Sequence, residues 1–218
     1  MTDSPFRNAH ALKPTLGITI LTVVVAALLL AFSRQAGAEA AAEELSADQL
    51  HRLEQGEIVV AVNQAEGPAR GTVEAAILIE APVNLVWRIM KDCTEIPTFV
   101  PGVEKCEVLD SGENWESIRH EVKWIWFSPR LSYVFRADYQ PKREISFYRT
   151  SGDLREMKGS WRLIPVESGG TFVRYRVYID PGFLVPQWLV RSSLKSDLPA
   201  VLAALKNKVL TIQDGQKE

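Results

Sequence analysis

The chain has 218 residues, of which 46% are hydrophobic and 24% charged, and its formal net charge is −2. These values are close to those of an average globular protein and exclude collagen-like, disordered and low-complexity chains. Nucleic-acid binders are typically basic with clustered charge, so the composition argues against that class. The length is that of one domain, or of two small ones.

The first 38 residues form a leader unlike the rest of the chain. Residues 14–33 carry no charge, Arg7 and Lys13 precede them, and the small residues 36–38 follow. A charged start, an apolar run and small residues are the order of a secretory signal, which predicts cleavage after Ala38. The alternative is an uncleaved membrane anchor, because residues 14–33 as a helix would span about 30 Å, the thickness of a bilayer core. Both interpretations place the domain outside the cytoplasm, in the periplasm or on the extracytoplasmic face of the inner membrane.

The 180 residues after the leader carry 22 basic and 26 acidic side chains, so they form an acidic domain. Residues 39–56 are predicted to be a short leading helix or linker, because Ser46 and Gln49 have capping-box spacing. Residues 57–213 are predicted to be the folded domain, and 214–218 a tail.

Within the domain, residues 57–62 and 71–80 are strand-like. A helix is expected from Pro82 to about Asp92, since proline suits a first helical turn. Its apolar residues recur on one helical face: Val83, Val86, Trp87 and Met90. The segment CTEIPTFVPG that follows predicts a short helix and a turn.

From residue 103 to 180 the hydropathy alternates with a period of two, which is typical of an antiparallel sheet with one covered face. The end of the chain then returns to helical spacing. The predicted apolar stripe of this last helix is Leu194, Leu198, Val201, Leu202, Leu205 and Val209. Pro199 is expected to kink that helix or to mark the start of a new one.

This element order predicts an α+β fold in which a curved antiparallel sheet packs around a long C-terminal helix. Four segments carry a family resemblance: ILIEAPVNLVWRIMKD, PTFVPGVEKCEVL, GSWRLIPVESGGTFVRYRVYIDPG and PQWLVRSSLKSDLPAVLAALK. Over about residues 57–212 the chain resembles the START-like, helix-grip superfamily, also called SRPBCC, which includes polyketide cyclase/dehydrase-like and coenzyme Q-binding proteins. The resemblance implies that an apolar ligand is held between sheet and helix. Its motifs are structural and do not specify the ligand.

The predicted covered face of the sheet is rich in aromatic side chains. Its candidate ligand-binding residues are His120, Trp124, Trp126, Tyr133, Phe135, Tyr139, Phe147, Arg149, Trp161 and Tyr175, with Trp188 at the start of the last helix. Each aromatic residue is interpreted either as ordinary core or as a wall against an apolar ligand. A tyrosine hydroxyl could also orient a polar head group.

His120 and Arg149 are the polar candidates on this face. His120 lies between Ile118 and Val122, so it is either a core histidine with a partner or a ligand contact with an acid–base role. Arg149 is either a solvated strand end or a partner for a carboxylate or phosphate head group. No metal site or cofactor is expected, because His51 is distant in sequence and no clustered ligand spacing is present.

Cys93 and Cys106 are the two cysteines of the chain. An exported compartment permits a disulfide between them, and the alternative is two buried thiols.

Three functional hypotheses follow. The first is non-catalytic binding or transport of a hydrophobic small molecule, such as a lipid, an isoprenoid quinone or a polyketide-like compound. The second is a cyclase or isomerase that uses His120. The third is an envelope interaction protein with a vestigial cavity. A membrane surface is a further possible partner through residues 14–33, nucleic acid is not expected, and the sequence sets no oligomeric state.

Overall fold

The computed structural model describes residues 47–62, 72–123, 130–182 and 187–216. The helices are α1 (Ala47–Glu54), α2 (Val83–Lys91), α3 (Ile96–Phe99) and α4 (Gln187–Asp214). The strands are β1 (Val59–Val62), β2 (Val73–Ile79), β3 (Val103–Gly112), β4 (Trp115–Val122), β5 (Leu131–Gln140), β6 (Glu144–Gly152), β7 (Glu156–Pro165) and β8 (Thr171–Asp180). The leader, its predicted cleavage site, Trp124 and Trp126 lie outside the described residues.

The strands form one eight-stranded sheet in the order β1-β2-β8-β7-β6-β5-β4-β3, and every neighbouring pair is antiparallel. The sheet is curved, and α4 packs against it on β2, β1 and β8. The structure therefore confirms the predicted α+β helix-grip fold. Because side chains alternate between faces, one set of residues on each strand points toward α4.

Helix α2 begins after Pro82, which occupies the N-cap position with extended backbone. Its most deeply buried residues are Leu85, Val86 and Ile89. Val86 belongs to the predicted apolar face, whereas Trp87 and Met90 on that face are only half-buried. The buried side is thus rotated toward Leu85, because the helix packs against both α4 and β7.

Helix α4 is continuous from Gln187 to Asp214, with Pro199 inside it. Of the two expectations for Pro199, the start of a new helix was wrong, and the kink stays a prediction. Proline removes one backbone hydrogen bond from a helix interior, but Leu198 and Leu202 on either side of it are fully buried. Their packing on the sheet keeps the helix in one piece.

Helix α1 lies within the predicted element at 39–56, and residues before Ala47 lie outside the described range. Its Leu53 is buried against Val59, Ala76 and Phe172. These contacts dock α1 on the outer face of the sheet, opposite α4. No helix of the described ranges is long and apolar enough to cross a membrane.

Candidate functional site

A cavity of about 410 Å³ lies between the sheet and α4. The sheet supplies its floor, α4 supplies the opposite wall, and the segment from Met90 to Val103 closes one side. The cavity reaches the protein surface near Pro101, Gly102 and Lys123. These three residues are exposed and belong to the cavity lining. A volume of this size accommodates a small molecule.

An aromatic row crosses the cavity floor from β4 to β8. The ring centroids of His120 and Phe135 are 4.9 Å apart, those of Phe135 and Phe147 are 6.2 Å apart, and those of Phe147 and Tyr175 are 6.2 Å apart. Trp161 stacks on Tyr175 with 3.6 Å between centroids. Centroid separations of about 4.5–7 Å are favourable for aromatic pairs, and the rings from His120 to Tyr175 together form an apolar floor.

His120 lies on this floor with its accessible surface turned to the cavity. Burial lowers the pKa of its imidazole to about 4 from the ordinary 6.5, because desolvation disfavours the charged form. Its Nδ1 atom lies 3.5 Å from the Tyr133 hydroxyl, a long contact. His120 is therefore a neutral donor and acceptor at pH 7.

Tyr133 and Tyr175 also line the cavity. Burial raises the pKa of both phenols well above the ordinary 10, and the Tyr133 phenol adds to the effect on Tyr175. Both hydroxyls consequently stay protonated across the physiological range and can donate a hydrogen bond.

A polar cluster made of Tyr139, Glu116 and Lys91 lies at one end of the cavity. The Tyr139 hydroxyl donates to Glu116 Oε2 at 2.7 Å, and Lys91 Nζ lies 3.3 Å from Glu116 Oε1. The same ammonium lies 4.0 Å from the centre of the Tyr139 ring. Burial and the Glu116 carboxylate raise the pKa of Tyr139. Both oxygens of the Glu116 carboxylate have partners within the cluster. The cluster therefore stabilises this end of the cavity and offers no unpaired carboxylate oxygen to a ligand.

A disulfide joins Cys93 to Cys106, with 5.4 Å between their Cα atoms. It ties the loop after α2 to strand β3, and both cysteines belong to the cavity lining. The bond thus holds the wall formed by the loop against the edge of the sheet.

The α4 wall was not among the predicted ligand-binding residues. It consists of Leu194, Asp197, Leu198, Ala200, Val201 and Leu205. Four of these belong to the apolar stripe predicted for the last helix, so the helical periodicity was the signal that could have indicated them. The fully buried Leu202 and Val209 of that stripe are not in the lining and pack on the sheet.

Most of the predicted candidates of the sheet line the cavity: His120, Tyr133, Phe135, Tyr139, Phe147, Trp161 and Tyr175. The side chain of Trp188 lies outside the described part of the structure, as do Trp124 and Trp126. The ligand-binding role of each candidate remains a prediction.

Arg149 differs from the other candidates because it is absent from the cavity lining. It pairs with Phe135 in the sheet register, and its Nη2 atom donates to the Gly152 carbonyl at 2.9 Å. Its Nε atom is buried without a hydrogen-bond partner. The hydrogen bond from the guanidinium thus stabilises the end of β6. Head-group binding by Arg149 remains a prediction.

Across the described residues no group of three or more His, Cys, Asp or Glu side chains could hold a metal ion.

Fold and cavity together define a class, a START-like hydrophobic ligand-binding domain. The family described as polyketide cyclase/dehydrase and lipid transport matches residues 79–206, and the chain belongs to it. A search of curated proteins found no match.

Solved structures with the same fold include a STAR-related lipid transfer protein from Xanthomonas axonopodis, 18% identical, with a TM-score of 0.61 over 70% of this chain and 93% of that one. They also include the Zhui aromatase/cyclase from a Streptomyces species, 20% identical, with a TM-score of 0.55 over 63% of this chain and 92% of that one. Human STARD10 is 12% identical, with a TM-score of 0.62 over 73% of this chain and 72% of its own. Identities this low carry the fold and not the ligand.

Proposed function

We propose that this protein binds or carries a hydrophobic small molecule, without catalysis, in the cavity between the sheet and α4. The observation that carries the proposal is the open cavity of about 410 Å³ with aromatic and aliphatic walls. Lipids, isoprenoid quinones and polyketide-like compounds all have the apolar body that this surface would bury. Such burial contributes roughly 25 cal/mol per Å² before the cost of association is subtracted.

Native mass spectrometry of the purified protein, followed by solvent extraction, tests this function. We expect a bound species of small-molecule mass that partitions into the organic phase. The variant Ala137→Phe places a ring on the cavity floor, where Ala137 is in the lining, and should reduce ligand occupancy. Ser160→Phe adds the same ring on the opposite face of the sheet and should retain the ligand.

Circular dichroism must first show that both variants fold, since overpacking costs about 1–3 kcal/mol. A wild-type protein that carries no ligand and takes up none from a lipid extract would overturn the proposal.

The second candidate function is an enzyme of cyclase or isomerase type that uses His120. The observation in its favour is the neutral imidazole on the cavity floor, beside the Tyr133 hydroxyl. A histidine in that state can accept a proton from a bound substrate. Loss of turnover in His120→Ala with ligand binding retained would support this function over simple binding. An interaction protein with a vestigial cavity is disfavoured by the volume that remains open.

We also propose that the domain acts outside the cytoplasm. The composition of the leader supports this location, and so does the Cys93–Cys106 disulfide, because disulfides persist in oxidising compartments. A size difference between the precursor and the exported protein would demonstrate cleavage after Ala38. An unshifted product in the membrane fraction would indicate anchoring through residues 14–33. A product found only in the cytoplasm would contradict both.

A further inference from the structure

One side of the cavity is closed by a loop with little regular structure. Residues 92–103, the loop wall, contain α3, a helix of four residues with no buried side chain. Ile96, Phe99 and Val100 of this segment line the cavity and are only half-buried. A segment with few buried apolar side chains has low local stability, so the loop wall depends on its links to the rest of the domain.

The non-covalent links of the loop wall are weak. The backbone N–H of Lys123 donates to the Gly102 carbonyl at 2.8 Å and holds the end of the loop wall. In its middle the Glu95 carboxylate pairs with Lys208 on α4. The Glu95 side chain is 41% exposed, and exposed ion pairs contribute little to stability.

The disulfide is the covalent link. Cys93 lies near the start of the loop wall, Cys106 lies on β3, and 5.4 Å separates their Cα atoms. While the bond is intact, this end of the loop wall cannot move away from the sheet. Reduction would leave the exposed ion pair and the backbone bond at the far end to hold the segment.

The disulfide is within reach of a reductant. Neither cysteine residue is fully buried, and the neighbouring Thr94 and Lys105 are exposed. Among the described strands β3 is the outermost at this edge of the sheet. Exposed disulfides are the ones that exchange with thiols, whereas typical structural disulfides resist reduction.

We propose that the Cys93–Cys106 disulfide is a reversible redox site that controls ligand exchange, and that its partner is a dithiol. In the oxidised state the loop wall is fixed to β3; in the reduced state it detaches and the ligand exchanges faster. This control rests on the proposed function, because ligand exchange requires a cavity that binds a ligand. In an oxidising compartment the bonded state is the resting state, so the ligand is retained until the dithiol acts.

The reaction is two successive thiol–disulfide exchanges. A thiolate of the dithiol attacks one protein sulfur, the S–S bond breaks, and the other cysteine leaves as a thiolate that takes up a proton. The second thiolate of the reductant attacks the mixed disulfide and releases the first cysteine, which is protonated in turn. The dithiol is oxidised to a disulfide, and two electrons and two protons pass to the protein.

Release of N-phenyl-1-naphthylamine, a neutral apolar fluorophore, tests this control in the purified protein. The complex is diluted rapidly, and the decay of fluorescence gives the release rate with and without dithiothreitol as the dithiol. We expect release from the wild type to become about tenfold faster after reduction, since a bond that closes a loop of this size restricts the open state. Circular dichroism should show that the reduced domain stays folded.

Two variants separate control of the loop wall from general loss of stability. The double variant Cys93→Ser, Cys106→Ser should release the probe as fast as the reduced wild type, and dithiothreitol should not change its rate. Glu74→Gln is the matched control, because Glu74 pairs with two arginines on the outer face of the sheet and its loss also destabilises the domain. Its oxidised form should release the probe within about twofold of the wild-type rate, since the two sites are independent.

Hydrogen exchange measures the loop wall without a ligand. Reduction should speed amide exchange of residues 94–102 about tenfold and leave that of β2 unchanged. Strand β2 is the reference because it lies between β1 and β8, with Ile77 and Ile79 fully buried.

Equal release rates before and after reduction of the folded protein would overturn this inference and leave the proposed function standing. So would equal exchange of residues 94–102 in the two redox states, or release from oxidised Glu74→Gln as fast as from the reduced wild type. Loss of the folded circular dichroism spectrum on reduction would also overturn it, because the bond would then hold the whole domain. Absence of probe binding in either state, together with the lack of any co-purifying ligand, would instead overturn the proposed function itself.

Discussion

The ring of Phe147 lies over Gly159 of the neighbouring strand. A Cβ atom on Gly159 would lie 2.5 Å from Phe147 Cζ and 2.2 Å from the carbonyl oxygen of Arg176. Both separations are far below van der Waals contact. The missing side chain on β7 thus creates the space in which the central ring of the cavity floor lies.

Gly159→Ala should therefore destabilise the domain and displace Phe147. We expect the free energy of unfolding to fall by about 1–3 kcal/mol, because the backbone of β8 must move as well as the ring. Urea unfolding measures this change. Ser160→Ala, a small change on the opposite face of the same strand, should stay within about 0.5 kcal/mol. Equal stability of Gly159→Ala and the wild type would contradict the close packing described here.

A second prediction concerns Glu74 on the outer face of the sheet. Its carboxylate accepts from Arg174 Nη2 at 2.6 Å and from Arg176 Nε at 2.6 Å, and its side chain is only 13% exposed. Burial and the neighbouring Arg176 lower the pKa of Arg174. Arg174 is thus largely buried and Arg176 half-exposed, and both are paired with the same carboxylate. Glu74→Gln should lower the free energy of unfolding by about 3 kcal/mol, because it removes a largely buried negative charge that two guanidiniums share.

The matched control for Glu74 is Glu144→Gln. Glu144 pairs with Arg162 at 3.2 Å, but the Arg162 side chain is 53% exposed. Exposed pairs contribute little, so the loss should be below about 1 kcal/mol by the same urea measurement. Similar losses in the two variants would show that burial of the Glu74 cluster has no energetic consequence.

The third prediction addresses the disulfide. Cys93 and Cys106 are separated by 13 positions in the sequence, and a loop of that size constrains the unfolded chain by about 3 kcal/mol. A reducing agent should lower the urea midpoint of the wild-type protein accordingly. The double variant Cys93→Ser, Cys106→Ser should start from the lower midpoint and should not respond to the reductant. A wild-type midpoint that is the same with and without reductant would contradict a stabilising bond.

The fourth prediction concerns pH. The pKa of His120 is about 4 in the folded protein, whereas the unburied imidazole of the unfolded chain has the ordinary value of 6.5. As the pH falls, the unfolded chain therefore takes up this proton first. The stability that neutral His120 contributes is fully present above pH 6.5 and is lost as the pH falls toward 4, by on the order of 3 kcal/mol.

The measurement compares the free energy of unfolding at several pH values for the wild type and His120→Gln. The glutamine variant keeps a neutral polar side chain but has no titration in this range. Its stability should decline less between pH 6.5 and 4 than that of the wild type. Parallel declines would show that His120 does not titrate differently in the folded and unfolded states.

The sequence by itself determined the fold class and the inward face of the sheet. Strict alternation along β5 places Tyr133, Phe135 and Tyr139 on one face, because successive side chains in a strand point in opposite directions. The stripe on α4 indicated in the same way which side of the helix meets the sheet. Alternation along a strand and the apolar stripe of a helix are local patterns, and neither depends on which strands are neighbours in the sheet.

Only the tertiary structure decided what these faces enclose. The alternation along β6 predicts the same face of the sheet for Arg149 and Phe147. Phe147 lines the cavity, whereas Arg149 does not, because its guanidinium donates to the Gly152 carbonyl. Strand order brings His120 and Tyr175 to one cavity from distant parts of the chain. Whether apolar faces meet or leave a space depends on sheet curvature and on the disulfide-bound loop, which are non-local properties that no periodicity in the sequence contains.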